Sequence, residues 1–497
     1  NSDGDYEVSV TVTNNGSRAG QDAVQVYVQK PYTDYDKRYG LEQASVNLAG
    51  YAKTGLIEPE DSETVKITVA DDAFKTYDDE NQKTYIREKT TGNEAYYITA
   101  ASDAHAAVNN ILAAKGKTPA NTNGVMDAAG DASLTEKFTF TSDDFETYSV
   151  SESTGNPITN RFEDADWNKY ENKTEATVTY LTRSDWERTF PTTTPVLRMN
   201  KEMAADVGYD KEYPADPADE MPLYGQAHQF NLIDLKGLEY DHAAWETILN
   251  QITLDEQIDL LAHASHGTPA IAHIAKPKET VEDCPMGVRK PYLTNSDGYT
   301  MSFPSNVLLA ASYNNRLARE VGELMGEDML HSGVTGQYGP SANLHRHTYG
   351  GRSFEYYSED GYISGIMAKE QVVGMQSKGA YVNMKHFALN DQEDNRFGLC
   401  TFANEQSIRE IYLEAFRPAV EDGGCTGMMS AFNRVGMLWS GAHRGLMTDV
   451  LRGEWGFEGF VVSDAAWRDF MGVVDGVMGG NDCILGENTK LGAYEAA

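Results

Sequence analysis

Along the first hundred residues the apolar positions recur at every second residue. Val8, Val10 and Val12 alternate with Ser and Thr, an Asn14-Asn15-Gly16 turn follows, and Val24, Val26 and Val28 alternate again. A period of two sends successive side chains to opposite faces of a strand. Glu63 to Val69 and Ala95 to Ala100 add further short runs between turn clusters. Short strands at this spacing predict a β-sandwich over residues 1–115. From 116 to 235 the periodicity fades into polar text rich in Thr, Asp, Asn and Pro, punctuated by Trp167, Trp186 and the run from Phe190. An unstructured loop of that length is unusual inside a compact domain, so the stretch reads as an extended linker wrapping the surface, anchored by its aromatics. A small separate domain is the alternative.

From 236 to 497 the period changes. Ile408, Ile411, Tyr412, Ala415, Phe416 and Ala419 recur at helical spacing behind Asn404, a natural cap, and Leu317, Val321 and Leu324 mark a second helix. Between such helices lie short apolar runs: Thr335 to Tyr338, Ala380 to Met384, Thr426 to Met429 and Phe460 to Val462. Alternation of this kind implies parallel strands with crossover helices, in an open doubly wound sheet or a barrel, and about 260 residues suit a TIM-like (β/α)8 barrel. The chain as a whole is therefore expected to be multidomain.

Composition narrows the partners. Across 497 residues, 76 Asp and Glu outnumber 41 Lys and Arg, a formal charge of -35 that disfavours nucleic acid and anionic membranes as ligands. The four cysteines, Cys284, Cys400, Cys425 and Cys483, show no C-x-x-C spacing, so they read as free thiols, and neither a metal nor a cofactor is expected. No run has the length of a transmembrane helix, and the N-terminus lacks the regions of a signal peptide. Because the chain opens almost directly on a strand, it reads as a segment of a longer polypeptide, secreted or at a bacterial cell surface, with the cytoplasm as the alternative.

Chemistry-bearing residues cluster just after the apolar runs. Phe460-Val-Val-Ser-Asp464 ends on a carboxylate which, alone, would be an ordinary turn residue. The other runs lead into Asp283-Cys-Pro-Met-Gly-Val-Arg289, Gly350-Gly-Arg352-Ser-Phe-Glu355, Asn383-Met-Lys385-His386-Phe and Met428-Met429-Ser-Ala-Phe-Asn433. Strand ends on one rim of a barrel converge, so these groups are expected to share a pocket. A sugar hydroxyl both donates and accepts, which calls for charged acceptors such as Asp283 beside donors such as Lys385, His386 and Arg352. A carboxylate among cations is expected to keep a low pKa, leaving Asp464 ionised and free to attack an anomeric carbon.

In order and wording these motifs resemble the barrel of family 3 glycoside hydrolases, the β-glucosidase family: Asp-x-Pro-x-Gly-x-Arg, Gly-Gly-Arg-x-x-Glu-x-x-Ser-Glu-Asp, Lys-His-Phe, Met-Ser-Ala-x-Asn and Gly-Phe-x-Gly-Phe-Val-Val-Ser-Asp. The N-terminal strands, with Val24-Gln-Val-Tyr-Val and Leu48-Ala-Gly-Tyr-Ala-Lys-Thr, resemble the fibronectin type III-like domain of many members. The resemblance implies a retaining hydrolase releasing terminal β-D-glucosyl or related residues, with Asp464 as the nucleophile that forms a covalent glycosyl-enzyme. It places Asp283 on the carboxylate gripping the far side of the glycone, Arg289, Arg352, Lys385 and His386 on hydroxyl-binding or nucleophile-supporting positions, and Met429 in the same subsite. Arg289 and Arg352 also suit surface ion pairs, and Met429 a core position. Three departures stand out: Cys284 where the family has Gly, Phe432 where it has Tyr, and Ala465 and Ala466 before Trp467 where an aromatic follows the nucleophile directly.

A retaining pair needs a second carboxyl group about 5 Å from the first. In the β-glucosidase branch a Glu on an α/β sandwich domain supplies it. Here the fibronectin-like domain precedes the barrel, a permuted order that would put the sandwich upstream of residue 1 or on another chain, and the barrel is expected to be incomplete at its C-terminal end. The branch that uses an Asp-His pair after Lys-His-Phe fits less well, since residues 388–396 contain no His. Glu355 and Glu393 are candidate acids within the chain. Two other classes stay open: a noncatalytic carbohydrate-binding or scaffold relative that kept the glycone pocket, and an unrelated barrel lyase or aldolase using Lys385 as a Schiff base.

Overall fold

A computed structural model of the chain describes residues 4–173, 178–183, 198–208, 213, 218, 220–262, 266–289, 300–347, 350–466 and 470–486. The N-terminal alternation becomes two facing sheets. Strand β1 (Tyr6–Thr13) leaves its Asn14–Gly16 turn to pair antiparallel with β4 (Ser62–Val69), and β3 (Asn47–Lys53), β2 (Ala23–Gln29), β7 (Tyr96–Ala101) and β8 (Thr135–Phe138) form the second sheet in that order. The small hairpin of β5 (Thr76–Asp78) and β6 (Thr84–Ile86) falls between β4 and β7 in the chain and, among the described strands, pairs only with itself. Val26, Val28, Ile67, Val69 and Phe74 fill the space between the sheets, with Val8, Val10 and Val12 packed against them.

The outer face of the four-stranded sheet is not solvated. Tyr27 and Leu48 join the main core of the second unit, together with Phe162 of the stretch read as linker. Strand β8 comes from that same stretch, so the hydrogen-bonded sheet runs past residue 115. Trp167 is buried with its ring edge-on to Phe402 at 5.2 Å, an aromatic anchor of the kind expected, whereas Trp186 and Phe190 lie outside the described residues.

The second unit alternates strand and helix. β9 (Val281–Asp283), β10 (Gly336–Tyr338) and β11 (Tyr381–Val382) form one parallel sheet, and β12 (Met384–Phe387), β14 (Gly427–Ser430) and β17 (Phe460–Ser463) form another. Asn383 separates β11 from β12, so the described strands make two three-stranded sheets and not one hydrogen-bonded ring. β13 (Cys400–Thr401), β15 (Arg434–Val435) and β16 (Leu438–Trp439) add a small sheet beside them. Helices α1 (Asn315–Ser332) and α2 (Gly361–Gln376) cross between β9, β10 and β11. The helical stretch 405–421 begins where the Asn404 side chain accepts the Ser407 N–H, as its sequence predicts. No helix among the described residues is long and apolar enough to cross a membrane.

Candidate active site

Parallel strands that end on polar residues bring those residues to one rim. Asp283 closes β9, Lys385 and His386 lie within β12, and Asp464 follows β17 directly. The Lys385 ammonium donates to Asp283 Oδ1 at 2.6 Å, and the Cys284 N–H donates to the same oxygen at 2.8 Å. Burial alone would raise the Asp283 pKa, but Lys385, this N–H and Arg352 hold the carboxyl below its ordinary value. Cys284 has φ 111°, a left-handed conformation that favours glycine, so its departure from the family pattern strains this turn.

Arg352 ties the second half of the site together. Its Nε donates to Glu355 Oε1, and its Nη1 lies 2.9 Å from His386 Nε2. A guanidinium can only donate, so Nε2 accepts and the ring proton sits on Nδ1, facing Tyr356 Oη at 3.3 Å. Burial first, and then the charges of Arg352 and Lys385, push the His386 pKa well below its usual value. The ring is therefore neutral, and its 3.6 Å approach to Asp464 Oδ2 is not an ion pair. Asn343 fixes the backbone beneath, accepting from His386 N at 2.9 Å and donating to the His386 carbonyl at 2.8 Å.

Asp464 is 8 % exposed. Its Oδ1 accepts the Ala465 N–H at 2.8 Å, while Oδ2 has no hydrogen-bond partner among the described residues. Burial pushes its pKa up to about 6, against the pull of that N–H and of Arg352, Lys385 and Arg396. The low pKa expected for a carboxylate among cations is thus corrected: desolvation outweighs three cations, because Asp283 and Glu355 already engage two of them.

The remaining sequence candidates have partners or surroundings of their own. Arg289 is exposed and its charge acts on buried Glu282, whose pKa burial raises to about 7. Met429 is buried in a cluster with Val281, Tyr338, Val462 and Cys483. Glu355 accepts from Arg352 through one oxygen and from the Ser341 hydroxyl, at 2.6 Å, through the other. Glu393 pairs with Arg396 at 3.1 Å, and Trp467 lies outside the described residues.

Sequence reasoning missed Arg396 and Tyr356. The Arg396 guanidinium lies 4.8 Å from the Phe432 ring and 4.9 Å from Phe397, covering the position where the family has Tyr. Its signal lies at the end of segment 388–396, a stretch that drew notice only for its lack of His and for Glu393. Among the described residues no group of His, Cys, Asp and Glu side chains is placed to hold a metal ion.

Comparison with known proteins agrees with this arrangement. Residues 282–477 match the glycosyl hydrolase family 3 N-terminal domain, and residues 22–92 match the fibronectin type III-like domain. A β-glucosidase of Ruminococcus albus is 28% identical over 466 residues, covering 92% of this chain and 43% of its own length. An exo-α-(1→6)-L-arabinopyranosidase of Bifidobacterium breve is 40% identical over 196 residues, 38% of this chain and 26% of its own. The structure of a β-glucosidase from Paenibacillus barengoltzii superposes with a TM-score of 0.68 at 21% identity, covering 97% of this chain and 49% of that one, which supports the fold. The chain spans less than half the length of these relatives. The chain thus carries a glycosyl hydrolase family 3 N-terminal domain, with a fibronectin type III-like domain ahead of it.

Proposed function

We propose that residues 236–497 hold much of a TIM-like (β/α)8 barrel whose rim carries the nucleophile and glycone-binding half of a retaining β-glucosidase-type site. The observation that carries this reading is Asp464: a buried carboxylate with one oxygen fixed by Ala465 N–H and the other unengaged beside a neutral His386. Oδ2 attacks the anomeric carbon as the glycosidic C–O bond breaks, and the leaving oxygen takes a proton from an acid. Water, deprotonated by the same group, then releases the sugar from the ester. Asp283 with Lys385 offers an acceptor and a donor to the glycone hydroxyls.

The acid is assigned outside the described residues, to a Glu of an α/β sandwich domain on a longer polypeptide or a second chain. Both Glu355 oxygens already accept hydrogen bonds, and Glu393 is held by Arg396. The substrate proposed is a terminal non-reducing β-glucosyl residue or a related sugar. A 2-deoxy-2-fluoro-β-glucoside with a good leaving group needs little acid help, so it is expected to label Asp464 stoichiometrically by peptide mass spectrometry. Glucose binding without any label would overturn hydrolysis in favour of a binding protein.

A further inference from the structure

A cavity whose lining does not include Asp464 lies between the sandwich and the helices of the second unit, with a volume of about 540 Å³, within the range of small-molecule sites. Its walls come from β3, the end of β4, the N-terminus of α2 and the helical stretch 405–421. Most of its charges are already paired: Lys30 with Glu410 at 3.3 Å, Lys75 with Asp72 at 2.9 Å, and Arg417 with Glu414 at 2.8 Å. Such pairs present donors and acceptors side by side without a net field for an ion.

Three lining charges stand outside these pairs: Arg346, Glu359 and Asp360, the last accepting the Ile363 N–H at 2.9 Å. Arg346 lies over the Tyr412 ring, 5.8 Å from its centroid, and neither it nor Glu359 forms an ion pair among the described residues. The phenol hydroxyls of Tyr85 and Tyr362 likewise bond to no other described residue. Leu48, Ala49 and Ile411 supply the apolar part of the wall. Spare groups of both signs exclude a strong preference for anion or cation, while free hydroxyls beside aromatic and aliphatic surface suit a ligand with apolar faces and hydroxyl edges.

The geometry points to a second carbohydrate site in this cleft, taking a short neutral oligosaccharide. It rests on the cleft's own chemistry and is independent of hydrolysis at Asp464.

The test is calorimetric titration of the full chain carrying Asp464→Asn with cellotriose, using trigalacturonate as a charged control. Two sites per chain are expected. Adding Arg346→Ala and Tyr362→Phe should weaken one at least tenfold and spare the other. If the glycosidase reading fails, only the cleft site appears, and it is still lost in the Arg346→Ala, Tyr362→Phe protein. In the unsubstituted chain, cellotriose should slow amide exchange over residues 359–366, a readout that does not depend on the variants folding. Titrations unchanged by the two substitutions, trigalacturonate binding as tightly as cellotriose, or exchange at 359–366 unaltered by cellotriose would each overturn the proposal.

Discussion

At Asp464 a single oxygen decides the pH behaviour of the site. In the proposed mechanism the carboxylate must be ionised to attack, and burial raises its pKa to about 6, so the rate should fall on the acid side and be about a tenth of its plateau one unit below that value. A pH profile of kcat/KM for an activated aryl β-glucoside checks this, and an acid limb near 4 would contradict it. The same shift has a stability sign. The folded-state pKa lies above the unfolded one, so ionised Asp464 destabilises the fold above pH 6, and the penalty vanishes below the unfolded value near 4. Asp464→Asn should therefore raise Tm at pH 7.5 and leave it unchanged at pH 3.5, while lowering kcat by about 10³-fold or more. Asp464, Asp283, Lys385 and His386 were legible in the sequence because each sits in a short motif in or at the end of a strand, and Arg352 because it sits in a Gly-Gly-Arg motif of the turn that follows β10. Arg396 and Tyr356 were not, because their roles depend on how a loop folds back over Phe432 and behind His386.

Between elements, glycine placement sets a close helix–helix contact of the second unit. The pattern of Leu317, Val321 and Leu324 located α1 correctly but misread its face: Leu317 and Leu324 are 38% and 47% exposed, and the buried stripe is Ala318, Val321, Met325 and Met329. Gly322 and Gly326 lie on that stripe because α2 approaches almost to backbone contact. A Cβ on Gly374 would collide with the Arg319 carbonyl oxygen and stand 2.9 Å from the Gly322 Cα. Hydrophobic periodicity cannot reveal this, since it counts large apolar residues and the contact is made by absent side chains. Gly374→Ala should cost about 1–3 kcal/mol through forced separation of the helices. The check is a lower urea midpoint with little change in KM, because among the described residues neither helix hydrogen-bonds or ion-pairs with the side chain of Asp464 or Asp283. Strand existence was equally legible, but the split at Asn383 that divides the parallel strands into two sheets was not, because one polar residue inside an apolar run carries no register information.

For the whole molecule, the sequence showed two units but not how they are joined, since alternation says that a strand has two faces and not what covers the second. The join is polar as well as apolar. Glu410 accepts the Tyr77 N–H at 2.6 Å and Lys30 at 3.3 Å, tying the sandwich to the helical stretch 405–421. Beside it, buried Arg409 donates to Glu405 at 2.8 Å, to Glu454 at 2.6 Å and to the Thr159 carbonyl at 2.7 Å, with its guanidinium 4.7 Å from the Tyr77 ring. One side chain thus links the sandwich, the stretch after β8, helix 405–421 and the segment before β17. Replacing it leaves two buried carboxylates facing each other with less compensation, a loss of about 3–5 kcal/mol when one partner of a buried pair is removed. Arg409→Met should therefore lower the unfolding free energy by that amount, read from urea denaturation, and speed proteolysis near Thr159. Glu405 also accepts the N–H groups of Arg161 and Phe162, so it keeps partners of its own, whereas Glu454 loses both of its side-chain donors. Arg409→Met combined with Glu454→Leu should then recover at least half of the lost stability. A double variant no more stable than the single one would place the damage in lost packing against Tyr77 and not in the orphaned charge.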